Sequence, residues 1–76
     1  LRAADRINAP DLTQRELQVL QLLVNGNGNS EIMATLGISE GTVKFHINHI
    51  LAKLHVSDRT QAVVAALKRG LVRINE

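Results

Sequence analysis

Apolar residues recur at helical spacing in four stretches of the chain, and short polar or glycine-containing breaks separate them. The first stretch opens with Thr13-Gln14-Arg15-Glu16, a capping box in which the threonine hydroxyl and the glutamate carboxylate each accept a backbone N–H. Leucine and valine then repeat every three or four residues as far as Asn25-Gly26-Asn27-Gly28. Because asparagine and glycine tolerate left-handed backbone, this segment ends the helix. The pattern predicts a first helix over 13–25.

A second, shorter helix is predicted over residues 30–36. Asn29 or Ser30 is expected to cap it, and Gly37 is expected to end it. Ile38 follows as a hydrophobic residue in the middle of a tight turn. Two helices joined by such a short, glycine-containing turn are typical of a helix-turn-helix unit.

The third helix is predicted to follow a Ser39 cap and to run over 40–54. Its apolar residues form a single stripe that can pack on the core, namely Val43, Ile47, Ile50, Leu51 and Leu54. The opposite face and its flanks carry lysine, asparagine and histidine, whose side chains can donate hydrogen bonds to base edges or phosphates in a major groove. The capped N-terminus also offers backbone N–H groups to a phosphate.

A fourth helix is predicted over 58–69, beginning at Ser57-Asp58 and ending before Gly70. The run Ala62-Val63-Val64-Ala65-Ala66-Leu67 is apolar on every side, although a core-facing stripe needs only half of it. Either this helix buries a second surface, or its small alanines are tolerated at the surface. No stretch alternates as a strand would, so the sequence predicts an all-α fold, a four-helix bundle containing a helix-turn-helix.

Length and charge add little beyond this outline. At 76 residues the chain has room for one domain, which we place at 12–76, with residues 1–11 as an interdomain linker or the tail of a preceding helix. Because the chain begins at Leu1, we expect that it was cut from a longer protein. The net charge of +2 is uneven, −2 over 1–41 and +4 over 42–76, and a basic half favours a polyanionic partner.

Several classes of protein are disfavoured by the residues that are absent. There is no cysteine, no paired carboxylate in an apolar setting, no nucleophile elbow and no phosphate loop, so we expect no enzyme and no cofactor. His46 and His49 have a spacing that two metal ligands could use, but no third ligand is identifiable. Neither a signal peptide nor a membrane-length apolar run is visible, and we expect a cytoplasmic protein.

The motifs together resemble the LuxR/NarL/FixJ type of DNA-binding domain. They are Leu12-Thr13-x-Arg15-Glu16-x-x-Val19-Leu20, Glu31-Ile32-x-x-x-Leu36-x-Ile38-Ser39, Thr42-Val43-Lys44-x-His46, Lys53-Leu54 and Arg59-x-x-Ala62. The resemblance implies a dimer on double-stranded DNA and a role in bacterial transcription control at the nucleoid. It also implies the output domain of a two-component response regulator, with a receiver domain before it and RNA polymerase as a further partner.

Residue roles follow from the resemblance position by position. It implies base reading by Lys44, Phe45, Asn48 and His49 and backbone contacts by Thr42, His46 and Lys53, to which Ser39 is added as the cap of the helix N-terminus. The resemblance also implies dimerisation through the fourth helix, where we expect Gln61, Val64, Ala65 and Lys68 to face a two-fold partner. Plainer alternatives stay open: Lys44 as a solvated lysine, Phe45 folded over a neighbouring side chain, and His46 as a packing residue. Glu16 is expected to cap the first helix and to pair with Lys53 or Arg59. A helix-turn-helix-like protein-interaction module without DNA binding is the alternative function.

Overall fold

The computed structural model describes residues 11–74, so the predicted linker over residues 1–10 and the last two residues lie outside the described range. Four helices follow one another along the chain: α1 Gln14–Val24, α2 Asn29–Leu36, α3 Glu40–Leu54 and α4 Arg59–Lys68. Residues 11–74 contain no strand. The predicted all-α, four-helix architecture is therefore confirmed, with each helix boundary within one residue of its predicted position.

α1 begins at the predicted capping box. The Glu16 N–H donates to Thr13 Oγ1 at 3.1 Å, and the Thr13 N–H donates to Glu16 Oε1 at 2.9 Å. The helix ends at Val24 with Asn25 as its C-terminal cap, and Gly26 follows with a φ of +90°. Both ends of α1 are therefore set by residues that the sequence pattern singles out.

The predicted cap of α2 is wrong, because the residue that precedes the helix is Gly28 and not Asn29 or Ser30. Glycine has no side chain to accept a helical N–H, and instead the Gly28 N–H donates to Glu31 Oε1 at 2.8 Å. The Asn29 amide oxygen accepts a 2.7 Å hydrogen bond from Arg59 Nη2. Asn29 thus ties α2 to the start of α4 instead of capping its own helix.

The turn between α2 and α3 joins the two helices of the helix-turn-helix unit. Gly37 has a φ of +66°, a conformation that costs an L-residue with a side chain but not glycine. Its N–H donates to Met33 O at 2.8 Å, and the Ile38 N–H donates to the same oxygen at 3.2 Å. Ser39 caps α3 as predicted by accepting the Thr42 N–H at 3.2 Å.

α3 lies at the centre of the bundle and packs against the other three helices. The core consists of Val19, Leu20, Leu23, Ile32, Val43, Ile47, Ile50, Leu54, Ala62, Ala66 and Val72. Four of the five residues in the predicted α3 stripe are buried, and the fifth, Leu51, is half-buried. Each large side chain removed completely from water contributes about 1.5–3 kcal/mol, so this stripe holds α3 in place and leaves its other face exposed.

The segment after α4, which the predicted domain includes, packs back on the helices, and the helical pattern does not indicate these contacts. Val72 is buried, and Gln21 on α1 donates from Nε2 to Arg73 O at 2.7 Å. At the other end of α4, Asp58 accepts the Gln61 N–H at 2.8 Å, as expected of the predicted cap. The bundle is thereby closed on α1 by the chain that follows its last helix.

Candidate nucleic-acid interface

One face of α3 is open to solvent along its length. All four residues predicted to read bases, Lys44, Phe45, Asn48 and His49, are exposed on it, opposite the buried stripe. Helical spacing places residues three and four apart side by side, so Phe45, Asn48 and His49 form one continuous patch and Lys44 lies beside Asn48. We call Lys44, Phe45, Asn48 and His49 together the reading face.

Phe45 is the most prominent apolar group of the reading face, with 56% of its surface exposed. Its ring lies over the His49 ring with centroids 4.2 Å apart and a tilt of 40°. The half-buried His46 meets it edge-on at 5.7 Å. Phe45 is therefore partly folded over a neighbouring side chain, as the plainer alternative expects, and it still leaves more than half of its surface exposed.

The N-terminal turn of α3 combines two hydroxyls with one ion pair. The side-chain oxygens of Ser39 and Thr42 are 3.0 Å apart, and both residues are accessible. Lys44 Nζ lies 3.9 Å from Glu40 Oε2, with both side chains about 60% exposed. Exposed pairs of this kind contribute only about 0.2–1 kcal/mol, so a phosphate can replace Glu40 as the partner of Lys44.

Behind the reading face, a buried carboxylate on α1 connects two basic residues of α3. Glu16 is only 3% exposed, and its Oε1 accepts a 2.7 Å hydrogen bond from Lys53 Nζ. Its second oxygen, Oε2, lies 3.7 Å from His49 Nδ1. Of the two cations considered for Glu16, Lys53 is the one that pairs with it, whereas Arg59 donates to Asn29. The expected pairing of Glu16 with a cation is therefore made by Lys53, which has this structural partner in addition to its predicted role at the DNA backbone.

The protonation of Glu16 is controlled by opposing effects. Burial alone would raise the pKa of this carboxyl, but the hydrogen bond from Lys53, together with those from Thr13, outweighs it and lowers the pKa below its ordinary value of 4.5. Glu16 is therefore held as a carboxylate, and its negative charge persists beneath α3 in mildly acidic solution.

The exposed side of α4 is apolar at its centre. Val64 is 45% and Leu67 36% exposed, while Ala62 and Ala66 are buried in the core. Of the predicted dimerisation residues, Gln61, Val64 and Lys68 are exposed and Ala65 is half-buried. The predicted set omitted Leu67, although the same apolar run contains it. Gln61 is partly engaged already, because its Oε1 accepts the Ser57 N–H at 2.8 Å.

Other kinds of site find little support in the part of the chain that is described. Between residues 11 and 74, no three histidine, cysteine or acidic side chains come together as metal ligands. Over the same range, every helix is too short or too polar to cross a membrane. An open groove of about 440 Å³ between α1 and α2 is lined by leucine, glutamine and threonine, without a charged or imidazole side chain.

The sequence is similar to those of known bacterial regulatory proteins. Residues 10–66 match the family model described as bacterial regulatory proteins, luxR family. The chain is 52% identical over 63 residues to the transcriptional regulatory protein DegU of Brevibacillus brevis, covering 83% of this chain and 27% of DegU. It is 45% identical over 62 residues to the response regulator protein VraR of Staphylococcus aureus, covering 82% of this chain and 30% of VraR. The chain therefore spans less than a third of the length of these two relatives.

Solved structures of two similar proteins have the same fold. The transcription factor GerE superposes with a TM-score of 0.78 at 41% identity, over 84% of this chain and 96% of that of GerE. A ligand and DNA complex of VqmA from Vibrio cholera superposes with a TM-score of 0.79 at 33% identity, over 83% of this chain and 28% of that of VqmA. The bundle of α1 to α4 thus recurs both in a chain of nearly the same length and within a much longer one.

Proposed function

The chain belongs to the luxR family of bacterial regulatory proteins, and on this premise we propose that α3 enters the major groove of double-stranded DNA and reads a specific operator. The observation that carries the proposal is the reading face, four exposed side chains on a helix whose opposite side is anchored in the core. An α-helix fits the major groove, where each base pair presents a distinct pattern of donors, acceptors and methyl groups.

The chemistry of the reading face suggests a role for each residue. Lys44 can donate to guanine or to an adjacent phosphate, and Asn48 can pair with adenine through both amide atoms. The exposed ring of Phe45 suits an apolar contact with a thymine methyl group. His49 lies beside Phe45 on the same face and completes the set of base-reading candidates.

Contacts with the sugar-phosphate backbone would orient α3 in the groove. We assign them to Ser39 and Thr42 at the capped N-terminus of α3, to His46, and in part to Lys53. The N-terminal N–H groups and the two hydroxyls offer donors where the helix dipole also favours an anion. Because Lys53 is held by Glu16, we expect its main effect on DNA binding to come through the orientation of α3. Such contacts position a protein without reading sequence.

We further propose that the protein binds DNA as a homodimer through α4. The exposed Val64 and Leu67 form an apolar centre, with Gln61 and Lys68 beside them and Ala65 allowing close approach. A single short reading helix contacts few base pairs, and two-fold pairing of half-sites is the usual way in which helix-turn-helix proteins extend their site.

The relatives suggest the setting in which this domain acts. VraR is a response regulator and DegU a transcriptional regulatory protein, and both are much longer than this chain. We propose that residues 12–76 are the DNA-binding output domain of a two-component response regulator, with residues 1–11 as the linker to a receiver domain. RNA polymerase is then a further partner, and the bacterial cytoplasm, at the nucleoid, is the place of action.

Binding to nonspecific duplex DNA at two salt concentrations tests the proposal against a protein-interaction module. If each domain neutralises three or four phosphates, a fourfold rise in salt should weaken binding by roughly 40- to 150-fold. Selection from random duplex DNA should then enrich one sequence. A protein that binds no duplex at low salt, or whose binding is insensitive to salt, would not be a DNA-binding module.

A further inference from the structure

The aromatic residue of the reading face is held by its neighbours. Phe45 lies one helical turn before His49, so the two side chains stand above each other on α3. Their ring centroids are 4.2 Å apart, a close contact for an aromatic pair. Although 56% exposed, Phe45 therefore has fewer rotamers open to it than a solvated phenylalanine would have.

His49 also lies close to a carboxylate from another helix. Its Nδ1 is 3.7 Å from Glu16 Oε2 on α1, so the two groups are neighbours at a distance longer than a hydrogen bond. Glu16 cannot readily move away, because Lys53 Nζ and the Thr13 N–H both donate to its Oε1. A continuous series of contacts thus runs from the core side of α1 to the exposed ring of Phe45.

We propose that Phe45 and His49 act as one reading unit and that Glu16 is the positioning residue that sets its orientation. The inference rests on the proposed function, since it concerns how the same helix reads DNA. A flexible side chain loses rotamer freedom when it is immobilised at an interface, and ordering it beforehand reduces that loss. The contacts of His49 with Phe45 and Glu16 supply this ordering before DNA arrives.

A double-mutant cycle on an operator selected from random duplex DNA measures the coupling. Phe45→Ala, His49→Ala and the combined variant are compared with the wild type on this operator and on a nonspecific duplex. The combined loss of operator affinity should be smaller than the product of the single losses by about 2- to 10-fold, the range expected of an aromatic pair. The nonspecific duplex should show no such coupling, whereas a purely structural role would affect both duplexes alike.

The role of Glu16 is tested in a variant that keeps an aromatic ring at position 49 but lacks the imidazole. His49→Tyr keeps an aromatic ring beside Phe45 but removes the Nδ1 that faces Glu16. Glu16→Gln should lower the ratio of operator to nonspecific affinity by a larger factor in the wild-type background than in the His49→Tyr background, because the part of its effect that acts through Lys53 is common to both. An equal loss in the two backgrounds would overturn the positioning role of Glu16 toward His49. His55→Asn, which replaces the exposed histidine at the end of α3, is the matched control and should have no effect on the ratio.

The outcomes distinguish failure of the Phe45–His49 unit from failure of the proposed function. If Glu16→Gln does not fold, as thermal unfolding would reveal, the cycle of Phe45 and His49, two exposed residues, still decides whether they form one unit. If the wild type selects an operator but the Phe45 and His49 losses simply multiply, the reading unit is overturned while the proposed function stands. If the wild type selects no sequence at all, the proposed function fails, and this inference fails with it.

Discussion

Lys53 on α3 donates a 2.7 Å hydrogen bond from Nζ to Oε1 of the buried Glu16 on α1. The same carboxylate oxygen accepts the Thr13 N–H of the α1 capping box, at 2.9 Å. One acidic residue thereby caps the first helix and fixes the third helix relative to it. The orientation of the reading face consequently depends on a contact that lies outside that face.

Removing the amine of Lys53 should destabilise the fold, because Glu16 would remain buried without its cationic partner. For Lys53→Met we expect a loss of about 1.5–3 kcal/mol in the free energy of unfolding, the range for hydrogen bonds to charged groups. Urea titration measures it. Lys68→Met, at an exposed position of α4, is the control and should change the value by less than about 0.5 kcal/mol. Equal effects of the two variants would contradict the role given to the Glu16–Lys53 pair.

The lowered pKa of Glu16 predicts a dependence of stability on pH. A carboxyl whose pKa is lower in the folded state than in the unfolded state stabilises the fold above the unfolded value. That contribution is lost as the pH falls below the ordinary value of 4.5 and through the lower folded value. The stability difference between the wild type and Glu16→Gln, measured by urea titration from about pH 7 down to about pH 3, should therefore shrink as the solution is acidified. A constant difference would mean that the Glu16 pKa is not lowered.

The helices were predictable because their ends are set by local chemistry. The Thr13 capping box, the Ser39 and Asp58 caps and the left-handed Gly37 are each visible in a few consecutive residues. The cap of α2 was not predictable in this way, because the Asn29 amide is used by Arg59, 30 residues away in sequence. A contact of this range depends on the packed bundle and has no signature in local sequence.

In the candidate site, too, some features follow from local sequence and others depend on the packed bundle. Helical periodicity suffices to identify the exposed reading face, since the buried stripe of α3 defines its opposite. The approach of His49 to Glu16 and the close contact of Phe45 with His49 depend on how α1 packs on α3 and on which rotamers that packing leaves. Side-chain orientation at this level follows from tertiary structure and not from spacing along one helix.

A change in the operator DNA tests the role of Phe45 directly. If the Phe45 ring contacts a thymine methyl group, replacing that thymine by deoxyuridine in a selected operator removes the contact and nothing else. We expect one position at which this change weakens wild-type binding by about 1 kcal/mol, the contribution of one buried methyl group. The same change should have no effect on Phe45→Ala. Weakening of equal size in both proteins would assign the methyl contact to another residue.

The apolar centre of α4 predicts a concentration-dependent assembly. Placing a charge there by Val64→Asp should abolish dimerisation and cooperative binding to a two-half-site operator, because an unpaired carboxylate is costly to bury. Analytical ultracentrifugation with and without DNA measures both effects. Thr60→Asp, an exposed change in the first turn of the same helix, should leave assembly intact. Unchanged cooperativity in Val64→Asp would assign the dimer contact to a different surface.

Selection from random duplex DNA, carried out in parallel with the wild type and with the triple variant Lys44→Ala, Phe45→Ala, Asn48→Ala, tests the central claim most directly. All three positions are exposed, so the variant should remain folded, which its thermal unfolding checks. We predict that the wild type enriches a defined sequence and that the triple variant enriches none, while it retains salt-dependent nonspecific binding. Enrichment of the same sequence by both proteins would contradict the conclusion that this face of α3 reads DNA.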